Sequence, residues 1–152
     1  MLVKADAFID KFVGDEVLGI FFPAFAGSQP ARHAVIAAHE MLRATGHGTA
    51  AGPWLPIGVG VHTGVAYFGT VAGVDGSISD VTALGESVNV ASRLVSSAAA
   101  GEALISEVAY ERAGIDVEHL ERRELEVRGR GEPITVYVAR LSPDGHTTHR
   151  RP

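Results

Sequence analysis

Asn89 and Arg93 stand four residues apart in the stretch DVTALGESVNVASRL, residues 80–94. On a helix that spacing sets a neutral amide and a permanent cation on one face, about one turn apart. Such a pair suits an anion: arginine offers a rigid fork of donors that matches phosphate, and asparagine donates to or accepts from a neighbouring hydroxyl. A solvated polar face on a surface helix is the plainer reading of the same residues. Asp15 follows a glycine between two apolar runs, as an ordinary turn residue or as a hard-cation ligand held at a strand end. Lys11, among the apolar neighbours of a strand, either snorkels to solvent or hydrogen-bonds something specific. Arg128 and Arg130 lie in an Arg-Gly-Arg-Gly tip, where a flexible backbone can bring cations to a phosphate or simply turn in solvent. His62 is a candidate base but reads as a structural strand-end histidine, and His33 and His39 lack metal-ligand spacing.

These residues need elements to hold them. Residues 6–22, DAFIDKFVGDEVLGIFF, carry β-branched and aromatic runs on both sides of Gly14-Asp15 and predict a hairpin. Pro23 and Gly27 break that pattern. Ala31, Val35, Ala38 and Leu42 then recur at helical spacing from about Pro30, after Ser28, to Thr45. A flexible loop, residues 47–53, follows. Residues 55–73 alternate again and predict two strands joined at Thr63-Gly64, with glycines where another backbone or a ligand comes close. Residues 74–84, with Asp75, Asp80 and Thr82, read as a loop, and the helix bearing Asn89 and Arg93 runs from there to about Ala98. A short strand over 103–106 leads into a helix started at Ser106 and stopped by Gly114. Residues 117–128 and 133–141 predict a last hairpin, and 142–152, without apolar periodicity, a disordered tail.

The bulk properties narrow the class. A length of 152 residues is one domain with a real core. Hydrophobic residues make up 46% and charged residues 20%, ordinary for a globular chain. A net charge of −5 argues against a general nucleic-acid or anionic-membrane binder. The absence of cysteine removes disulfides, thiolate zinc sites and cysteine nucleophiles, and it fits a reducing compartment. No run of about 18 apolar residues and no signal-peptide pattern is present, so the chain reads as soluble and cytoplasmic.

Four stretches taken in order, KFVGDEVLGIF at 11–21, GVGVHTG at 58–64, DVTALGESVNVASRL at 80–94 and VRGRGEPITVYVA at 127–139, resemble the class III nucleotidyl cyclase catalytic domain. The resemblance covers residues 6 to about 141. It implies a ferredoxin-like α/β (α+β) fold, an antiparallel-rich sheet with flanking helices, working as a head-to-tail homodimer or heterodimer with active sites at the interface. It also implies a reaction in which the ribose 3′-hydroxyl of a nucleoside triphosphate attacks its own α-phosphate, giving a 3′,5′-cyclic monophosphate and pyrophosphate. By the same resemblance Asp15 matches the second of two aspartates that hold a pair of Mg2+ or Mn2+ ions. Asn89 matches the residue that orients the ribose, and Arg93 the one that stabilises the α-phosphate. Arg128, with Arg130 as the second candidate, falls where a lysine usually grips the terminal phosphates. Lys11 and Thr82 fall at the two purine-contacting positions, in the combination associated with ATP. The chemistry agrees: adenine N1 is an acceptor that lysine can address, whereas guanine N1–H favours an acceptor such as glutamate.

One departure stands out. The family domain begins with a strand carrying the first metal aspartate and two helices before the lysine-bearing hairpin, whereas Met1 stands about ten residues before that hairpin. Asp6 and Asp10 are too close to Asp15 to be assigned the missing carboxylate's role. Residues 1–141 therefore read as a partial cyclase domain, truncated at its N-terminus, with open strand edges, exposed apolar surface and weak two-metal binding expected. An inert cyclase-homology module that dimerises or binds nucleotide is the alternative to an adenylate cyclase.

Overall fold

The two apolar runs around Gly14-Asp15 form the expected hairpin. Strands β1 (Phe8–Val13) and β2 (Glu16–Ile20) pair antiparallel, and Gly14 supplies the left-handed turn with a φ of 64°. The computed structural model describes residues 2–72, 78–115, 120–126, 132–141 and 147–148. Pro23 does more than break the strand: it opens a one-turn helix, α1 (Pro23–Ala26). Helix α2 (Pro30–Ala44) follows as its apolar spacing requires, although Gln29 rather than Ser28 precedes its first turn, with no side-chain cap.

The main sheet is built around β6 (Glu102–Ser106), which is buried along its whole length. Strand β3 (Val59–Val61) lies parallel to it on one side, and β8 (Ile134–Leu141) and then β7 (Glu121–Leu125) follow antiparallel on the other. Strand residues alternate between faces, and the two cores separate accordingly. Ala103 and Ile105 pack with Val61, Ala139 and the apolar stripe of α2, together with Ala109 and Ala113 of α4 (Glu107–Ala113). Leu104 faces the opposite way, with Val136 and Val138, onto Val90 and Leu94 of α3 (Glu86–Ser97). Ser106 caps α4 by accepting from the Ala109 amide, and Gly114 ends that helix, as the sequence predicts.

The reading of residues 55–84 needs correction. Residues 59–61 and 67–72 are both extended, but they do not pair with each other across Thr63-Gly64. Strand β3 joins β6, whereas β4 (Tyr67–Ala72) pairs antiparallel with β5 (Ile78–Leu84), a segment the sequence presents as loop. The expected close approach of another backbone is found at Gly60 of β3. A Cβ on Gly60 would stand 2.6 Å from the Val95 amide nitrogen and 2.8 Å from the Ala91 carbonyl oxygen, so only glycine lets the backbone of α3 rest on β3. In the tail, Thr147–Thr148 (β9) pairs with Arg140 and Leu141, a strand the apolar pattern does not announce. Residues 142–146 and 149–152 lie outside the described set.

Where α3 leaves the sheet face uncovered, charges take over. Glu102 and Arg140 sit directly opposite each other on β6 and β8 and are ion-paired, and Arg123 on β7 forks onto Glu102 at 3.1 and 3.2 Å. Glu121 completes the network with Arg140 at 2.8 Å and Arg123 at 2.9 Å. Burial alone would push the Glu102 carboxyl up. Hydrogen bonds from Arg123, the Ala99 amide and Arg140, with the charge of Arg123, outweigh it and hold the group at about 2 against an ordinary 4.5. A folded-state value below the unfolded one stabilises fully above pH 4.5, and that stabilisation is lost as pH falls towards 2. Denaturant unfolding across that range is expected to show a loss on the order of 3 kcal/mol attributable to Glu102, flattened in Glu102→Gln. An equal pH slope in both proteins would refute the assignment.

Candidate functional site

Lys11 belongs to β1 and Thr82 to β5, seventy-one positions apart, yet the Lys11 Nζ donates to the Thr82 Oγ1 at 2.5 Å. The cause is local. The β1–β2 register slips between Ile9, paired with Gly19, and Lys11, paired with Leu18, so Asp10 is an extra residue on its strand. In a regular strand Asp10 and Lys11 would point to opposite faces; a bulge re-aims one of them. Both then reach Thr82. Its hydroxyl donates to Asp10 Oδ2 at 3.0 Å, and the Ala83 amide donates to Asp10 Oδ1 at 3.1 Å. Lys11 stands 3.6 Å from Asp10 Oδ2, with its side chain 30% exposed while that of Asp10 is fully buried. The hairpin is held against the β4–β5 ribbon by Phe8 and Phe22, which pack on Phe68 with ring centroids 5.9 and 4.9 Å away.

Strand β5 runs through Leu84 and Gly85 directly into α3. Val90 and Leu94 turn inward, and Asn89 and Arg93 lie exposed on the flank beside that buried stripe, one turn apart as their spacing predicts. Among the described residues no hydrogen bond or ion pair ties either side chain to the Lys11–Thr82 pair. The protein thus brings together the two purine-contacting candidates and presents the two phosphate-handling candidates separately. Asp15 is exposed at the hairpin tip. Arg128 and Arg130 lie outside the described residues.

His62 is engaged structurally: its Nδ1 lies 2.9 Å from the hydroxyl of Ser106, the buried residue that caps α4. Burial, and then the charge of Arg43, lower the pKa of His39 below the ordinary imidazole value. No group of three or more His, Asp or Glu side chains converges among the described residues. A hard divalent cation takes six or more oxygens, so Asp15 could supply one ligand at most and the described residues alone do not make a two-ion site.

The architecture is that of a mixed α+β catalytic domain: helices on both faces of a largely antiparallel sheet, with functional candidates on two ribbons and a surface helix. The family model described as the adenylate and guanylate cyclase catalytic domain matches residues 17–140, and the chain belongs to that family. The adenylyl cyclase CyaB from P. aeruginosa is 30% identical, with a TM-score of 0.63 over 98% of this chain and 75% of that one. The guanylyl cyclase Cya2 is 25% identical, with a TM-score of 0.75 over 97% of this chain and 77% of that one. An adenylate cyclase from Anabaena cylindrica is 34% identical over 97 residues, 60% of this chain and 18% of the relative. The chain therefore spans less than a fifth of that curated relative. Among the described residues, no helix is long and apolar enough to cross a membrane.

The contact of Asp10 with Thr82 is what sequence reasoning missed, since it weighed Asp10 only as a metal carboxylate. Strict alternation hides it behind Lys11, and the only signal was two adjacent charged residues inside an otherwise apolar strand.

Proposed function

We propose that this chain supplies the base-reading and transition-state residues of an adenylate cyclase that converts ATP to 3′,5′-cyclic AMP and pyrophosphate. The observation that carries the reading is the Lys11–Thr82 contact, assembled by a bulge and a strand pairing from residues far apart in sequence. The lysine keeps donors for an acceptor at the N1 position of adenine. In the reaction the 3′-oxygen forms a bond to the α-phosphorus as the bond to the bridging oxygen of pyrophosphate breaks. The hydroxyl proton passes to solvent. Positioning and charge neutralisation do most of this work. Asn89 orients the ribose, Arg93 donates to the α-phosphate oxygens as charge gathers on them, and Arg128 or Arg130 holds the terminal phosphates.

The exposed α3 face and the separate base-reading pair suit a site completed between two subunits, either a homodimer or a heterodimer with another cyclase domain. Apolar side chains on the same two ribbons support this reading: Phe12, Tyr67 and Leu84 are 77%, 74% and 53% exposed, an area a second subunit would cover. Mg2+ or Mn2+ would accompany the triphosphate, with Asp15 as one ligand. The second reading is an inert cyclase-homology module that dimerises or binds nucleotide; it is supported by the finding that no group of three or more His, Asp or Glu side chains converges among the described residues.

The test is incubation of the purified chain with ATP and Mn2+, with product and bound nucleotide both measured. Cyclic AMP supports the cyclase. Bound but unconverted ATP supports the binding module, and neither product nor binding refutes both.

A further inference from the structure

Asp10 has no part in the reading given so far, yet it is fully buried behind the two residues assigned to the nucleobase. An ionised carboxylate only accepts hydrogen bonds. Its Oδ1 is taken by the Ala83 amide, which leaves Oδ2 for the hydrogen of the Thr82 hydroxyl. That hydroxyl has one hydrogen, so once it is given to Asp10 the oxygen can only accept along the direction of Lys11. There it meets the Lys11 ammonium at 2.5 Å. The chain of contacts therefore has one polarity, from lysine to threonine to aspartate.

We propose that Asp10 is a positioning residue for nucleobase selection: by taking the Thr82 hydroxyl hydrogen it fixes that oxygen as an acceptor and anchors the Lys11 ammonium, the donor that a purine N1 meets. The inference rests on the assignment of Lys11 and Thr82 to the base, and it adds the cause of their selectivity. The Asp10 side chain and Thr82 are buried, and the lysine is the exposed member of the three. Adenine N1 accepts from such a group. Guanine N1–H would face donor against donor, an arrangement that leaves a polar group unpaired and is rejected strongly.

Asp10→Asn tests the polarity while keeping the shape. If its Oδ1 keeps the Ala83 amide, its Nδ2 must donate to Thr82, which takes up a lone pair of the hydroxyl oxygen and turns the hydroxyl hydrogen away from position 10, to the Ala83 carbonyl oxygen 3.4 Å away or towards Lys11, so that the ammonium loses its fixed anchor. The experiment is calorimetric titration of the purified chain and the variant with ATP and with GTP, each with Mn2+. The unsubstituted chain is expected to bind ATP more tightly than GTP, and Asp10→Asn to shrink that ratio about tenfold. A merely structural role would lower the fraction of binding-competent protein and leave the ratio unmoved. An unchanged ratio in a folded variant overturns the proposal and leaves the base assignment standing. Absence of ATP preference in the unsubstituted chain overturns both. Should Asp10→Asn not fold, Thr82→Val leaves Asp10 no hydroxyl to direct and must lose the same preference; a retained preference overturns the proposal.

Discussion

Arg93→Ala is expected to lower kcat for ATP cyclisation roughly a thousandfold while moving KM by less than about threefold. The asymmetry follows from where the side chain stands. Arg93 projects from the exposed face of α3, its helix fixed by Val90, Leu94 and the contact with Gly60, and it has no hydrogen-bond or ion-pair partner among the described residues. A guanidinium held on a rigid element and not engaged within the chain is available to charge that develops on the α-phosphate. Its interaction grows as that charge grows, which is the condition for an effect on kcat alone. Steady-state kinetics of the variant against the unsubstituted protein decide the matter. An effect confined to KM would make Arg93 a binding residue, and Arg93→Lys, which keeps charge but not the fork, is expected to recover only part of the rate.

The second large effect is a change of base. Exchanging Lys11 for glutamate and Thr82 for cysteine turns a donor pair into one that can accept from guanine N1–H, and the ratio of kcat/KM for ATP and GTP should move towards GTP. Asp10 complicates the exchange. Glutamate at position 11 would put a second carboxylate beside a fully buried one, an arrangement that like charges resist. The double variant is therefore expected to lose activity with both nucleotides, and addition of Asp10→Asn to restore it. In the triple variant the ratio should shift towards GTP by at least about a hundredfold. Unchanged ATP preference in that protein would remove Lys11 and Thr82 from the base.

Much of this was legible in the sequence, and the exceptions share a cause. The first hairpin, α2, α3, β6, α4 and the last hairpin were marked by periodicity and by punctuating residues such as Gly14, Ser106 and Gly114. Those signals are local, and local rules produce them. Strand β5 was missed because its sequence, ISDVTAL, mixes Ser, Asp and Thr into a ribbon where alternation fails. The pairing of β3 was misread because Thr63-Gly64 between two extended runs looks like a hairpin turn, whereas β3 pairs with β6, far along the chain. Among the site candidates, the motifs singled out Lys11, Thr82, Asn89 and Arg93, but the contact between Lys11 and Thr82 depends on a one-residue register slip, which is a property of two strands together. Neither strand's sequence alone predicts that Asp10 and Lys11 share a side.

The division of the strands into separate sheets has a further consequence. Strands β1 and β2 form one ribbon and β4 and β5 another, and among the described residues neither shares a hydrogen-bond ladder with the five-stranded sheet. Two-stranded ribbons are marginal by themselves, so these two open locally at a lower free-energy cost than β6, β8 and the helices packed on them. Lys11 and Thr82 thus sit on the parts of the molecule that loosen first, while Asn89 and Arg93 ride on a helix seated against the main sheet. On the proposed reading a nucleotide held by Lys11 and Thr82 would steady the ribbons that bear them, whereas the residues proposed to meet the phosphate are in place before it arrives.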